Sequence, residues 1–307
     1  MRAVAASLVL LAAVVQAQTR YEGLCDASAA VALDSRHFVV ADDESNRLTV
    51  YRRGTPQALG EVELGKFLKA DKEADLEGAA RVGSRIYWIS SHARNGEGKR
   101  RDDRLSFFAT DITGQTVRPV GRPYRHLLDD LLAAPTLAGL GLADAAGLAA
   151  EAPGGFNIEG LSVAPDGSLL IGLRNPVPQG QALLLPLLNP GDLIEGRGPA
   201  RFGPPVRLEL GGRGVRDIER VGSGYLIVAG PPADTGRFGL YRWSGKAGDA
   251  PVPLPIDLGT LRPEAVFSWP DGQLTLLSDD GGVALGKTAC KDAEKPRRGF
   301  RSLDIAP

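Results

Sequence analysis

The chain has 307 residues, a formal net charge of −1, 39 glycines, 22 prolines and two cysteines. That length can bury one large core or two medium ones, and the near-zero charge gives no basis for a nucleic-acid surface. CxxC pairs, a Walker loop and a dinucleotide fingerprint are all missing from the sequence, which removes the commonest organic-cofactor and nucleotide classes.

Residues 1–17 read as a secretory signal, with Arg2 ahead of an apolar run from Ala3 to Val15 and a small-x-small site at Val15-Gln16-Ala17. The run is shorter than the ~20 residues needed to span a bilayer. No later stretch qualifies as a span either. A mature protein of residues 18–307 is therefore expected in the periplasm or outside the cell, as one domain and as a monomer. Cys25 and Cys290 lie near the two ends of this mature chain. In an oxidising compartment they predict one terminal disulfide, with two buried thiols as the alternative.

A unit then recurs five times, each copy a short run, a tight turn and a second run. Asp26-Ala27-Ser28-Ala29 leads to His37–Val40 and Asp42-Asp43-Glu44. Asp75-Leu76-Glu77-Gly78 leads through Gly83-Ser84 to Ile86–Ile89 and Ser91-His92. Asn157-Ile158-Glu159-Gly160 leads through Pro165-Asp166-Gly167 to Leu169–Leu173 and Arg174-Asn175. Asp217-Ile218-Glu219 leads through Gly222-Ser223-Gly224 to Tyr225–Ala229. Pro263-Glu264-Ala265 leads through Pro270-Asp271-Gly272 to Leu274–Leu277 and Ser278-Asp279. These are hairpins with turn chemistry at their tips. Further strand-like runs follow in each unit: Leu48–Tyr51, Leu105–Phe108, Ala182–Leu185, Val206–Leu210 and Gly239–Trp243. Four short strands repeated at intervals of roughly 40–60 residues predict an all-β fold, a single β-propeller. Five blades are expected; six would require a degenerate blade between the second and third units. That interval departs from the pattern: Leu127, Leu128, Leu131 and Leu132 have helical spacing. It predicts a helical insertion around residues 125–152 over one face, either a lid or a packing excursion.

The register carries the functional reading. Ser28 to Asp43, Glu77 to His92, Glu159 to Arg174 and Glu264 to Asp279 are each separated by 15 residues, and the fourth unit breaks the pattern. A hairpin returns such residues to the same edge. Ser28, Glu77, Glu159, Glu219 and Glu264 are thus expected to ring one mouth of the channel, with Asp26, Asp75, Asn157 and Asp217 beside them and Asp43, His92, Arg174 and Asp279 as a second layer.

At this point the motifs CDASAAV, VADDESN, DLEGAAR, YWISSHARN, IEGLS, GLRNP, GGRGVRDIE, VAGP and LLSDDG resemble those of a family of exported bacterial proteins, domain of unknown function family 3616. The likeness extends over nearly the whole mature chain. More distantly, the Glu-Gly openings are similar to those of esterase-like phytase and gluconolactonase-type propellers. The resemblance implies a propeller and assigns no reaction or catalytic residue.

Carboxylates converging on one mouth repel unless a cation or an arginine compensates them, and hard oxygen donors suit Ca²⁺ or a similar divalent ion. The sequence candidates are therefore Asp43, Glu77, Glu159, Glu264 and Asp279 for a metal and His92 and Glu159 for acid–base work. Arg174, Asn175, Arg213, Arg216 and Asp217 are the candidates for holding a small anionic ligand. No organic cofactor is expected. A metal-dependent hydrolase of phosphoesters, esters or lactones is one reading. The other is a non-catalytic propeller that binds a small molecule or an extracytoplasmic protein, with acids that only lock the ring through Arg94, Arg174, Arg213 and Arg216.

Overall fold

The computed structural model describes residues 18–233 and 235–306; the signal-like segment 1–17 lies outside the described residues. The N-terminal strand β1 (Gln18–Glu22) is followed by four sheets in sequence. Blade 1 holds β2 (Ala27–Ala32), β3 (His37–Asp42), β4 (Arg47–Arg52) and β5 (Thr55–Glu63). Blade 2 holds β6 (Leu76–Val82), β7 (Arg85–Ser90), β8 (Phe107–Thr113) and β9 (Thr116–Tyr124). Blade 3 holds β10 (Asn157–Val163), β11 (Leu169–Asn175), β12 (Ala182–Leu187) and β13 (Val206–Leu208). Blade 4 holds β14 (Gly214–Val221), β15 (Gly224–Gly230), β16 (Gly239–Trp243) and β17 (Val252–Leu254). The last stretch supplies β18 (Pro263–Ser268), β19 (Leu274–Ser278), a small hairpin of β20 (Ala284–Leu285) and β21 (Thr288–Ala289), and β22 (Gly299–Ile305). The fifth blade runs β18, β19, β22, β1, so the N-terminal strand completes the C-terminal sheet. The protein is a five-bladed propeller, and no sixth blade occupies the interval between blades 2 and 3.

Local chemistry explains the hairpins. The two Pro-Asp-Gly turns place Gly167 and Gly272 at φ 85° and 87°, in the left-handed region that favours glycine. In each turn the aspartate accepts the amide two residues on, Ser168 to Asp166 at 3.0 Å and Gln273 to Asp271 at 3.0 Å.

The core is divided as the blades are. Five apolar clusters each fill one gap between neighbouring blades, so the inner strands are buried on both faces and read as continuous apolar runs. β2 and β3 are buried along their whole length, whereas the outer β5 is largely exposed. Where blade 5 meets blade 1, Tyr21, Phe38, Tyr51, Phe267 and Phe300 pack with centroids 5.1–5.6 Å apart, in stacked and edge-to-face pairs. The β1–β22 pairing and the Cys25–Cys290 disulfide close the ring at the same seam.

The insertion is helical as expected, with an α-helix at Leu127–Ala133 and a shorter one at Leu142–Ala145. Leu127, Leu128, Leu131, Leu137, Leu140 and Leu142 dock into the gap between blades 2 and 3. Its return segment crosses the channel mouth. Arg94 Nε donates to Ala146 O at 2.8 Å, and Asn175 Nδ2 donates to Ala150 O and Ala152 O at 2.9 Å.

Candidate functional site

One irregularity recurs in the innermost strand of every blade. Each first hairpin pairs regularly except for a bulge near the start of its inner strand, and the residue skipped is Ser28, Glu77, Glu159, Arg216 or Glu264. A bulge re-aims one side chain out of the ladder. Four of the five re-aimed residues line the mouth, and Ser28 instead donates through Oγ to Leu76 O on blade 2 at 2.5 Å.

This corrects the sequence reading of the fourth blade. Its bulged residue is Arg216; Glu219 lies three residues further along β14 and accepts Ser268 N at 3.0 Å, with Ser268 Oγ as a second donor. Asp217 likewise bonds blade 4 to blade 5, accepting Ile218 N at 2.8 Å and Val266 N at 2.7 Å. The ring is therefore Ser, Glu, Glu, Arg, Glu, with the arginine at its centre of charge.

Arg216 is 1 % exposed. Its Nη1 donates to both oxygens of Glu159, at 2.6 and 2.8 Å, and its Nη2 to Glu264 at 2.7 Å. Gly230 makes room for it, since a Cβ there would lie 2.7 Å from Arg216 Cγ. Arg174 Nη1 adds a further donor to Glu159 at 3.0 Å, which realises the 15-residue register between those two residues. This half of the mouth is neutralised by charge-assisted hydrogen bonds.

The other half is not. Asp26, Asp43, Asp75, Glu77 and Asp279 face a cavity of about 320 Å³, whose lining also includes Ala150, Glu151 and Asn157. Nine carboxyl groups line that cavity against four arginines and one lysine, so four of them have no basic counterpart. Arg104 Nη1 pairs with Asp75 at 2.9 Å, and Lys291 Nζ pairs with Glu44 at 2.8 Å. Asp43, Asp75 and Glu77 bring carboxylate oxygens within 4.8 Å of one another, and so do Asp26, Asp42 and Asp43. Two acceptors here are orphaned: Asp43 Oδ1 and Asn157 Oδ1 are buried without a hydrogen-bond partner. Asp75 also holds φ at 55°, a strained conformation for a residue other than glycine.

The titration behaviour follows. Burial, reinforced by Asp279 and Asp42, pushes Asp26 up to about 8. Asp42 rises to about 6 through burial. Asp43 and Glu77 rise well above the ordinary carboxylate range, first through burial and then through their acidic neighbours. Burial also raises Glu264, against the pull of Arg216. A carboxylate whose folded pKa is raised contributes stability that is present below its unfolded pKa near 4 and lost as the pH climbs through the folded value. His92 works in the opposite sense: burial lowers it to about 4, so its contribution is present above pH 6.5 and lost as the pH falls toward 4. Between pH 6.5 and 9 the carboxylates alone set the sign. Thermal melts in EDTA are expected to show the melting temperature falling steadily over that interval. A flat or rising profile would show that these acids are already compensated within the protein.

The structure distributes the remaining sequence candidates as follows. Asp43, Glu77, Glu159, Arg174, Arg216, Glu264 and Asp279 all line the mouth. His92 does not; it is buried with φ at 54°, Nδ1 is 2.8 Å from Ser90 O, and Nε2 has no partner. Arg213 lies outside the cavity, on Leu210 O, Arg237 O and Tyr241 Oη. Asn175 holds the insertion, and Arg94 bonds Ala146 O and Gly98 O. Sequence reasoning missed Arg104, Arg262 and Lys291, and it did not assign Asp26, Asp42 or Asp75 to a metal. One signal was available: counting 15 back from Pro231, the residue after β15, gives Arg216 and not Glu219.

No curated protein matches the chain in sequence. Among solved structures, a Thermus thermophilus protein described as an oxidoreductase (glucose dehydrogenase) is 15 % identical with a TM-score of 0.49, over 94 % of this chain and all of its own. Glutaminyl cyclase from Myxococcus xanthus is 13 % identical with a TM-score of 0.49, over 95 % of this chain and 98 % of its own. A mutant of the GH43 protein BlXynB from Bacillus licheniformis is 12 % identical with a TM-score of 0.48, over 85 % of this chain and 50 % of its own. Likenesses of this size say nothing about activity. The family resemblance carried by the motifs does find a match: residues 149–255, the stretch that contains blades 3 and 4, fit the family described as Protein of unknown function (DUF3616).

Proposed function

We propose that the propeller binds a hard divalent cation, Ca²⁺ or a similar ion, at the acidic half of its channel mouth, and that this ion holds a small oxygen-rich ligand. One observation carries the reading: Asp43, Asp75 and Glu77 bring carboxylate oxygens within 4.8 Å of one another, and Asp43 Oδ1 is buried and unpartnered. Oxygen-only donors of this kind suit Ca²⁺ or Mg²⁺. A cation would also answer the charge imbalance that the arginines leave. Cys25–Cys290 fits an oxidising, extracytoplasmic setting, and no helix among the described residues is long and apolar enough to cross a membrane.

In its hydrolytic form, the bound ion would polarise the carbonyl or phosphoryl oxygen of an ester, lactone or phosphoester and activate water. Glu159 already accepts three guanidinium contacts and His92 lies outside the cavity. The proton-handling group would then be a mouth carboxylate that does not itself hold the ion. The non-catalytic reading has its own support: Arg174 and Arg216 are engaged by Glu159 and Glu264, so neither offers a free guanidinium to an anionic substrate.

Melting in EDTA and in Ca²⁺ tests the common core. At a hundred times its dissociation constant the ion is expected to add about 2.7 kcal/mol, and Asp43→Asn should abolish that gain. Indifference of the melt to both additives would sink the proposal. If Ca²⁺ stabilises but phosphoester and lactone substrates are untouched, the protein is a binder and not a hydrolase.

A further inference from the structure

The two carboxylate sets have one member in common, Asp43, which lines the mouth. Resting on the cation reading above, we infer that the mouth holds two divalent ions bridged by Asp43: one against Asp75 and Glu77, the second against Asp26 and Asp42. A carboxylate has two oxygens, and one shared between two ligand sets can face an ion on each side, as bridging acids do in two-metal sites.

The second position has an observation of its own. Asp26 is 8 % exposed, lines the cavity, and makes no side-chain hydrogen bond among the described residues. A carboxylate that deeply placed needs a partner. No arginine reaches it, in contrast with Glu159 and Glu264. The backbone fits tightly around it: Asp26 pairs with Asp279 through a β-bridge, and a Cβ on Gly281 would lie 1.6 Å from Asp26 Oδ1. Asp42 already accepts Glu44 N through Oδ1 at 2.9 Å, which fixes the carboxyl group and leaves Oδ2 as a donor atom.

Calcium titration of the full, disulfide-bonded mature protein by calorimetry, after EDTA treatment and dialysis, reads the stoichiometry directly. Two Ca²⁺ per chain are expected. Asp42→Asn, which keeps the acceptor for the Glu44 amide, should leave one, Glu77→Gln should also leave one, and Asp43→Asn should lose both. Should Asp42→Asn fail to fold by circular dichroism, Asp26→Asn serves in its place. A wild-type stoichiometry of one that neither Asp42→Asn nor Asp26→Asn reduces would overturn the second ion and leave the single-cation reading standing. No binding at all would overturn both.

Discussion

Arg216→Met should lower the unfolding free energy by about 3–5 kcal/mol, the range for removing one partner of a buried ion pair. The guanidinium sits in the channel and bridges Glu159 on blade 3 to Glu264 on blade 5 from its own position on blade 4. Methionine would fill much of the same volume, so the effect isolates the charge. Two carboxylates would be stranded in a site already crowded with acid. Adding Glu159→Gln to Arg216→Met should recover part of the loss, because a neutral amide then replaces one stranded charge. The two variants are compared by urea unfolding at pH 7. A single-variant loss below about 1 kcal/mol, the level of an exposed pair, would show that the arginine does not hold the ring.

Opening the disulfide should have the second large effect. Cys25 and Cys290 are separated by 265 residues, so their bond closes nearly the entire described chain. The loop-entropy model gives roughly 5 kcal/mol for a loop of that size, and removal of native disulfides typically costs about 2–5 kcal/mol. The β1–β22 ladder pairs five residues across the same seam, and Asp280 N donates to Cys25 O at 3.0 Å. Those contacts survive a Cys25→Ser/Cys290→Ser replacement, so the native ring should remain shut and the loss should arise in the unfolded state. Urea unfolding should then show a lower midpoint together with a larger m-value. An unchanged midpoint would mean that the strand pairing alone secures the ring.

Blade count, hairpin tips and the closing disulfide were legible because they rest on local chemistry: Pro-Asp-Gly turns, apolar runs of strand length, and two cysteines near the ends of the described chain. The insertion was legible for the same reason, through the leucine spacing at 127–132. The site was legible in part. The constant 15-residue offset found Glu77, Glu159 and Glu264 because a hairpin of fixed length returns the chain to the same edge, and Arg174 does meet Glu159. The offset could not show that each inner strand bulges by one residue. The bulge put Arg216 on the axis and left Glu219 between blades 4 and 5. His92 obeys the offset yet is turned away from the mouth by a left-handed backbone, which no spacing rule reveals. Asp26 and Asp75 line the mouth as the hairpin pattern placed them, whereas Arg104 and Lys291 come there through tertiary packing, so their part in the charge balance was out of reach of pattern alone.

The central claim is that the acidic half of the mouth holds a cation and the arginine-filled half does not. Anomalous scattering from crystals grown or soaked with Ca²⁺ tests it most directly. The account predicts a peak about 2.3–2.6 Å from carboxylate oxygens of Asp43, Asp75 and Glu77, with Arg216 still between Glu159 and Glu264. A mouth without a peak, or a peak between Glu159 and Glu264 with Arg216 displaced, would contradict it.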